Sequence, residues 1–368
     1  MDDRVWGEIA RTLRASAPYR ALLEGAGDVV RLPLPAAAWV GELLAEDRGR
    51  SQLVIVPRES DALAWVEAAE LFGDGDGAVY FPAPSLSPYQ EAETSLPVRA
   101  QEAVALDRVL ANSARTVVCT PRALFRRLPT ARDFRSAVVE LTPGEDYPID
   151  ALIEHLVTFG YRRSDLVMEV GEVAVRGGVV DLYPPGVEQP VRLDLFGDTL
   201  ESIRLFDPAS QRSEAGLDGL RILPLAPFPA GEAQAKRLGR MLAEGAGPQP
   251  SEAVGEILQG LMGRGGFPGW ENYLPLLAER TASLAELTEG STLWAVDPTA
   301  LGDEIEHHAA TLAAEHRLRA DHGRLAVPPE ILELPGEEVE AVVARSVVRL
   351  HGLVLGEQQG VDFGGSIT

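Results

Sequence analysis

The chain has 368 residues, a formal net charge of −23 and an apolar share of 45%, enough for two or three domains with cores of their own. So acidic a balance argues against a protein that grips duplex nucleic acid over a broad surface. No apolar run reaches the roughly 20 residues that cross a bilayer, Met1-Asp2-Asp3-Arg4 lacks the layout of a signal peptide, and the single cysteine, Cys119, has no internal partner, so a reducing, cytoplasmic setting is expected.

Helical spacing over Val5 to Leu23 opens the chain, and Asp28 to Leu34 reads as a strand. Ala36 to Ala45 follows as an amphipathic helix, and Ser51 to Pro57 as a buried strand stopped by proline. Ser60 to Phe72 reads as a helix with Ser60 as its N-cap. Ala78 to Pro82 is a strand, Pro97 to Ala111 a helix, Thr116 to Cys119 a strand with its cysteine buried, and Arg122 to Leu128 a helix. Strand and helix alternating at this spacing predict a parallel α/β sheet.

After Asp133 the pattern turns strand-rich, with one helix from Ile149 to Phe159. In Val191 to Phe196 the apolar set is Val191, Leu193 and Leu195, so Arg192, Asp194 and Phe196 share the opposite face. In Glu172 to Arg176, Val173 and Val175 take the apolar face and Arg176 the other, and Gly177-Gly178 makes a hairpin turn. Single exposed aromatics and arginines are ordinary on soluble proteins. Two arginines and a phenylalanine meeting on one small sheet are the residue types that dominate interface hot spots.

From Ile222 the chain becomes helical again, at Glu232 to Ala243, Ser251 to Met262 and Leu301 to Arg317. The strand-like run Thr292 to Asp297 between them is placed to rejoin the first sheet, which would make the middle module an insertion. Gly360 to Gly365 near the end reads as a linker, and the chain is expected to be part of something longer.

Chemistry is sparse. A phosphate-binding loop needs glycine amides, a lysine and a Ser/Thr at G-x-x-x-x-G-K-[ST] spacing. The sole lysine, Lys236, has no glycine immediately before it. His307, His308, His316 and His322 share a helical stretch with Glu304 and Glu315. Adjacent residues there face about 100° apart and no cysteine supports them, so solvated histidines are expected, with no metal. No G-x-S-x-G elbow occurs, and Glu337-Glu338 reads as surface charge. Arg122, Arg126, Arg127, Arg132 and Arg135 read as a solvated helix face in preference to a DNA contact.

Gly160-Tyr161-Arg162, Glu169 to Gly177, Asp181-Leu182-Tyr183-Pro184, Arg192 to Phe196 and Phe206 to Arg212 resemble the N-terminal UvrB-homology region of the bacterial transcription-repair coupling factors (Mfd). Pro82 to Tyr89 resembles that family's Pro-rich loop, and Gly269-Trp270-Glu271-Asn272-Tyr273-Leu274-Pro275-Leu276 a segment shared with UvrB. The resemblance implies a degenerate helicase-like (RecA-like) α/β domain split in sequence, with a small α+β UvrA-binding domain inserted. The expected divisions are 1–134, 135–220 for the insertion, 221–345 for the second helicase-like part, and 346–368 as linker. It implies that Arg176, Arg192 and Phe196, the residues flagged by alternation, carry the contact to UvrA. Arg162, Arg163, Arg204 and Arg212 are possible secondary contacts.

The implied function is recruitment of UvrA, linking stalled RNA polymerase to nucleotide excision repair. No catalysis and no cofactor are expected in this chain. By the same resemblance the whole protein would bind RNA polymerase and double-stranded DNA, use ATP and Mg²⁺ in translocase domains beyond residue 368, and keep the UvrA site masked by a C-terminal domain. The alternative is an ATP-dependent DNA helicase or damage-recognition protein of the UvrB type. Against it, the position of the phosphate loop reads Leu32-Pro33-Leu34-Pro35-Ala36-Ala37-Ala38-Trp39, without glycine, lysine, serine or threonine. The stretch from Tyr80 to Ala103 is also too short for the long DNA-gripping hairpin of UvrB.

Overall fold

The computed structural model describes residues 3–25, 27–72, 77–84, 86–90, 92–229, 231–245, 251–263, 269–352 and 360–364. The chain begins α1 (Asp3–Ala15), α2 (Ala17–Leu23), β1 (Asp28–Val30), α3 (Leu34–Arg48), β2 (Gln52–Ile55), α4 (Glu59–Phe72), β3 (Ala78–Phe81), α5 (Leu96–Leu110), β4 (Thr116–Cys119) and α6 (Pro121–Phe125). A strand covered on both faces must be apolar on both, and every residue of β2, β3 and β4 is buried. Val54, Tyr80 and Val118 pack with Trp39, Leu44 and Trp65 of α3 and α4. Leu53, Phe81 and Cys119 pack with Leu106 of α5 and Phe125 of α6 on the other side. Burial pushes the Cys119 thiol up, so it is an inert core group.

The chain then leaves this sheet through α7 (Ala131–Ala137) and β5 (Val139–Leu141). Next come α8 (Ile149–Thr158), β6 (Arg162–Arg163), β7 (Glu172–Arg176), β8 (Val179–Leu182), β9 (Val191–Phe196), β10 (Thr199–Phe206), β11 (Ser213–Leu217) and β12 (Leu220–Ile222). These strands form a six-stranded sheet in the order β11-β10-β9-β8-β7-β6, antiparallel except for β6 beside β7, and a separate β12-β5 pair. Leu152, Ile153 and Leu156 of α8 close one face of the larger sheet, over Val173, Val180, Leu193 and Ile203.

Beyond it, α9 (Glu232–Gly245), α10 (Ser251–Gly263), α11 (Leu274–Leu277) and α12 (Leu284–Leu287) lead to β13 (Thr292–Val296). They are followed by α13 (Pro298–Asp321), α14 (Pro329–Leu332), α15 (Gly336–Ala344), β14 (Val348–Leu350) and β15 (Val361–Asp362). β13 pairs in parallel with β2 on one side and β14 on the other. The chain thus returns to its first sheet, whose order is β15-β1-β14-β13-β2-β4-β3.

Several expectations change. Val5 to Leu23 is two helices, because the Ser16 side chain accepts from the Tyr19 amide and Pro18 starts a new first turn. The strand from Asp28 stops at Val30, where Arg31 turns to φ 56°. The helix expected at Ala36 to Ala45 is buried all round over Ala37–Ala45, not amphipathic, and Ser60 lies inside α4. Residues 346–368 are not simply linker: Val348–Leu350 and Val361–Asp362 are strands of the main sheet, and Phe363 is buried in its core. The rest of that stretch, 353–359 and 365–368, lies outside the described residues. The divisions expected after 134 and 220 fall inside α7 and β12.

Candidate partner-binding site

The face of the six-stranded sheet away from α8 carries the residues that alternation singled out. Burial along β9 alternates residue by residue, and Phe196 at its end stands 79% exposed. Directly opposed residues share a face, and the register sets Arg176 opposite Val179, Val179 opposite Asp194, and Asp181 opposite Arg192. Arg176, Arg192 and Phe196 therefore do lie on one face.

Two turns at one end of the sheet present them. Gly177 takes φ 61° between β7 and β8, and Gly197 takes φ 62° between β9 and β10. A Cβ on Gly178 would lie 2.4 Å from the Leu195 carbonyl oxygen, so β8 starts against β9 only because that position has no side chain.

The three residues differ in state. Arg176 is exposed, and its Nη2 donates to the Asp165 carbonyl; it has no carboxylate partner among the described residues. Arg192 is engaged: Nε and Nη2 donate to Asp181 Oδ1 and Oδ2 at 2.7 and 2.8 Å, and Nη1 to the Gln211 carbonyl at 3.3 Å. Its Cζ lies 4.8 Å from the centre of the buried Phe206 ring. The hydrogen-bonded Asp181 holds the guanidinium pKa above its ordinary value, against the effect of burial. Asp181 keeps 5% of its side chain exposed and Arg192 18%.

The outer face also has a small core of its own, which the sequence did not announce. Val167, Ala174 and Phe206 are buried together there, with Tyr183 packed against them. Burial acts to raise the Asp194 carboxyl, but hydrogen bonds from Arg204 and Ser202 outweigh it and leave it below its ordinary value. Of the secondary candidates, Arg162 pairs with Glu172 and Arg204 with Asp194, while Arg163 and Arg212 have no ion pair among the described residues.

The other candidate chemistry resolves differently from expectation. His308 is not solvated: it is buried, with Nε2 at 2.8 Å from Glu333 Oε2 and its ring edge-on to Phe125. His307 and His322 are exposed. Among the described residues no His/Cys/Asp/Glu group has the arrangement of a metal site. The arginine cluster is not a free helix face either, because Arg126 pairs with Glu102 in a largely buried position and Arg127 and Arg135 donate to the carbonyls of Glu330 and Leu110. Leu32 to Trp39 runs from just after β1 into the first turns of α3, with Pro33 at the N-cap and proline in the first turn, where an amide donor is therefore missing. An apolar cavity of about 800 Å³, lined by Trp6, Leu13, Pro33, Pro35, Trp39 and Phe72, lies there.

Residues 139–228 match the family model of the UvrB interaction domain, so the match spans the sheet that carries Phe196. The chain is similar to the transcription-repair-coupling factor of Myxococcus xanthus, 34% identical over 57% of this chain and 19% of that protein. It is 31% identical to that of Bacillus subtilis over 64% of this chain and 21% of the relative. It is 44% identical to that of Escherichia coli over 24% of this chain and 8% of the relative. The matches thus span about a fifth or less of the length of these relatives. Among the described residues no helix is long and apolar enough to cross a membrane.

Proposed function

We propose that this chain is a UvrA-recruiting module of a transcription-repair coupling factor, and that it docks UvrA on the outer face of the six-stranded sheet through Phe196 and Arg176. The observation that carries the reading is a coincidence: the segment matched to the UvrB interaction domain is the one that holds, on one face, a guanidinium with no carboxylate partner among the described residues and a 79% exposed phenylalanine. An exposed ring seats in an apolar recess, and a guanidinium without a carboxylate of its own donates two parallel hydrogen bonds to one on a partner. Arg192 supports this face through Asp181 and Phe206, with its remaining surface at the rim.

On this reading the chain is non-catalytic, and it needs no ATP or Mg²⁺ for recruitment. The proline-lined, apolar start of α3 supports that. RNA polymerase binding, ATP-driven movement on double-stranded DNA and a C-terminal domain that masks the UvrA face belong, in this proposal, to the longer protein.

The test is calorimetric titration of the chain with purified UvrA, comparing wild type with Arg176→Ala and Phe196→Ala, each checked for folding by circular dichroism. Binding by the wild type and its loss in the folded variants supports the proposal. Equal binding by all three removes the site, and no binding by the wild type removes the function.

A further inference from the structure

The segment after β6 folds back over the outer face of β7. Asp165 gives its carbonyl to Arg176, Val167 is buried against Ala174 and Phe206, and Met168 and Glu169 donate their amides to Glu172 Oε2 at 2.8 and 3.0 Å. Glu172 is buried, and its other oxygen accepts from Arg162 Nη2 at 2.8 Å. Burial acts to raise that carboxyl; the amide and guanidinium hydrogen bonds outweigh it, and Glu172 stays below its ordinary value. Residues 164–169 are thus pinned at both ends and in the middle.

On either side of the buried Val167, Leu166 and Met168 are 40% and 48% exposed. Single exposed apolar residues are unremarkable. These two, however, stand on backbone already ordered by Glu172, and with Phe196 they put three exposed large apolar side chains on one module. Ordering a loop before binding lowers the entropic cost of association.

We infer that residues 164–169 are the second half of the docking surface, with Leu166 and Met168 as apolar contacts on the segment that Arg176 holds, and Phe196 as the contact at the end of β9. This rests on the UvrA-recruiting reading. The matching surface of UvrA therefore offers one apolar recess for Phe196, another for Leu166 and Met168, and a carboxylate for Arg176. The charge pattern fits, because in a chain of net charge −23 Arg176 has only a carbonyl, and no carboxylate, as partner among the described residues.

The experiment titrates UvrA with Leu166→Ser, Met168→Ser, their double variant and Phe196→Ala, with thermal melts of each. The double variant is expected to melt with the wild type and to bind about ten-fold more weakly or worse. If it binds within about two-fold of wild type while Phe196→Ala loses affinity, the role of the loop is overturned and the docking surface stands without it. If Phe196→Ala also binds as wild type, the reading beneath the inference falls with it.

Discussion

Phe196 and Arg192 sit four residues apart on one strand face and are built for different tasks. Phe196 packs on little, so Phe196→Ala is expected to leave the melting midpoint within the range of ordinary surface changes, about 0.5 kcal/mol. Its affinity for UvrA should fall by about 2 kcal/mol, roughly 30-fold. Arg192 is bound to a carboxylate that is 5% exposed. Arg192→Ala leaves Asp181 buried and unpaired, which costs about 2–3 kcal/mol of stability. A loss of UvrA binding in that variant is therefore ambiguous unless its melt is measured. The double variant Asp181→Asn/Arg192→Gln removes both charges and keeps hydrogen-bonding groups. If it regains stability and binding together, Arg192 acts by holding the sheet; if it regains stability alone, Arg192 touches the partner.

The hairpins decide whether these residues meet, and glycine sets their geometry. At Gly177 a methyl group finds open space, and the cost of alanine is confined to the left-handed backbone, about 1 kcal/mol. At Gly178 the methyl would lie 2.4 Å from the Leu195 carbonyl, so β8 must part from β9. Gly178→Ala is expected to lower the melting midpoint clearly more than Gly177→Ala, and to weaken UvrA binding by moving Arg176 relative to Phe196. Equal shifts in the two variants would show that strand approach is not the constraint.

The period-two pattern of β9 was legible because one face lies on α8 and the other turns outward; in β7 only Arg176, at its end, shows that exposure, since Glu172 and Ala174 are covered by the segment after β6. The parallel strands were legible because burial on both faces leaves continuous apolar runs. What was hidden depends on register and on long-range pairing. Nothing local says that Arg192 faces Asp181 or stacks on Phe206, that the loop around Val167 covers Ala174, or that Arg126 meets Glu102. β15 escaped because two residues carry no periodicity; its place is set by the edge of β1, from which it is separated by most of the chain.

At the scale of the molecule, the first sheet is assembled from the two ends of the chain, through the β13–β2 pairing and, between β1 and β14, through an electrostatic contact at Asp28 as well. Asp28 heads β1 and accepts from Arg349 Nε and Nη2 at 3.0 and 2.8 Å and lies 2.7 Å from His351 Nε2, which ties β1 to β14. The Arg349 hydrogen bonds lower the Asp28 carboxyl from 3.8 to about 2, against the effect of partial burial. A carboxyl depressed in the folded state contributes stability above its unfolded value, and that stability is lost as pH falls through the folded one. For Asp28 the window runs from near 3.8 down to about 2. The melting midpoint should therefore decline steeply across it. Asp28→Asn should lower the midpoint at neutral pH and make the decline shallower, without abolishing it, because Glu172 and Asp194 are depressed as well. The same variant should bind UvrA normally at neutral pH and ambient temperature, since Asp28 belongs to the first sheet and the docking face to the second. A steep decline unchanged in Asp28→Asn would show that the closure of the split sheet does not rest on this carboxylate.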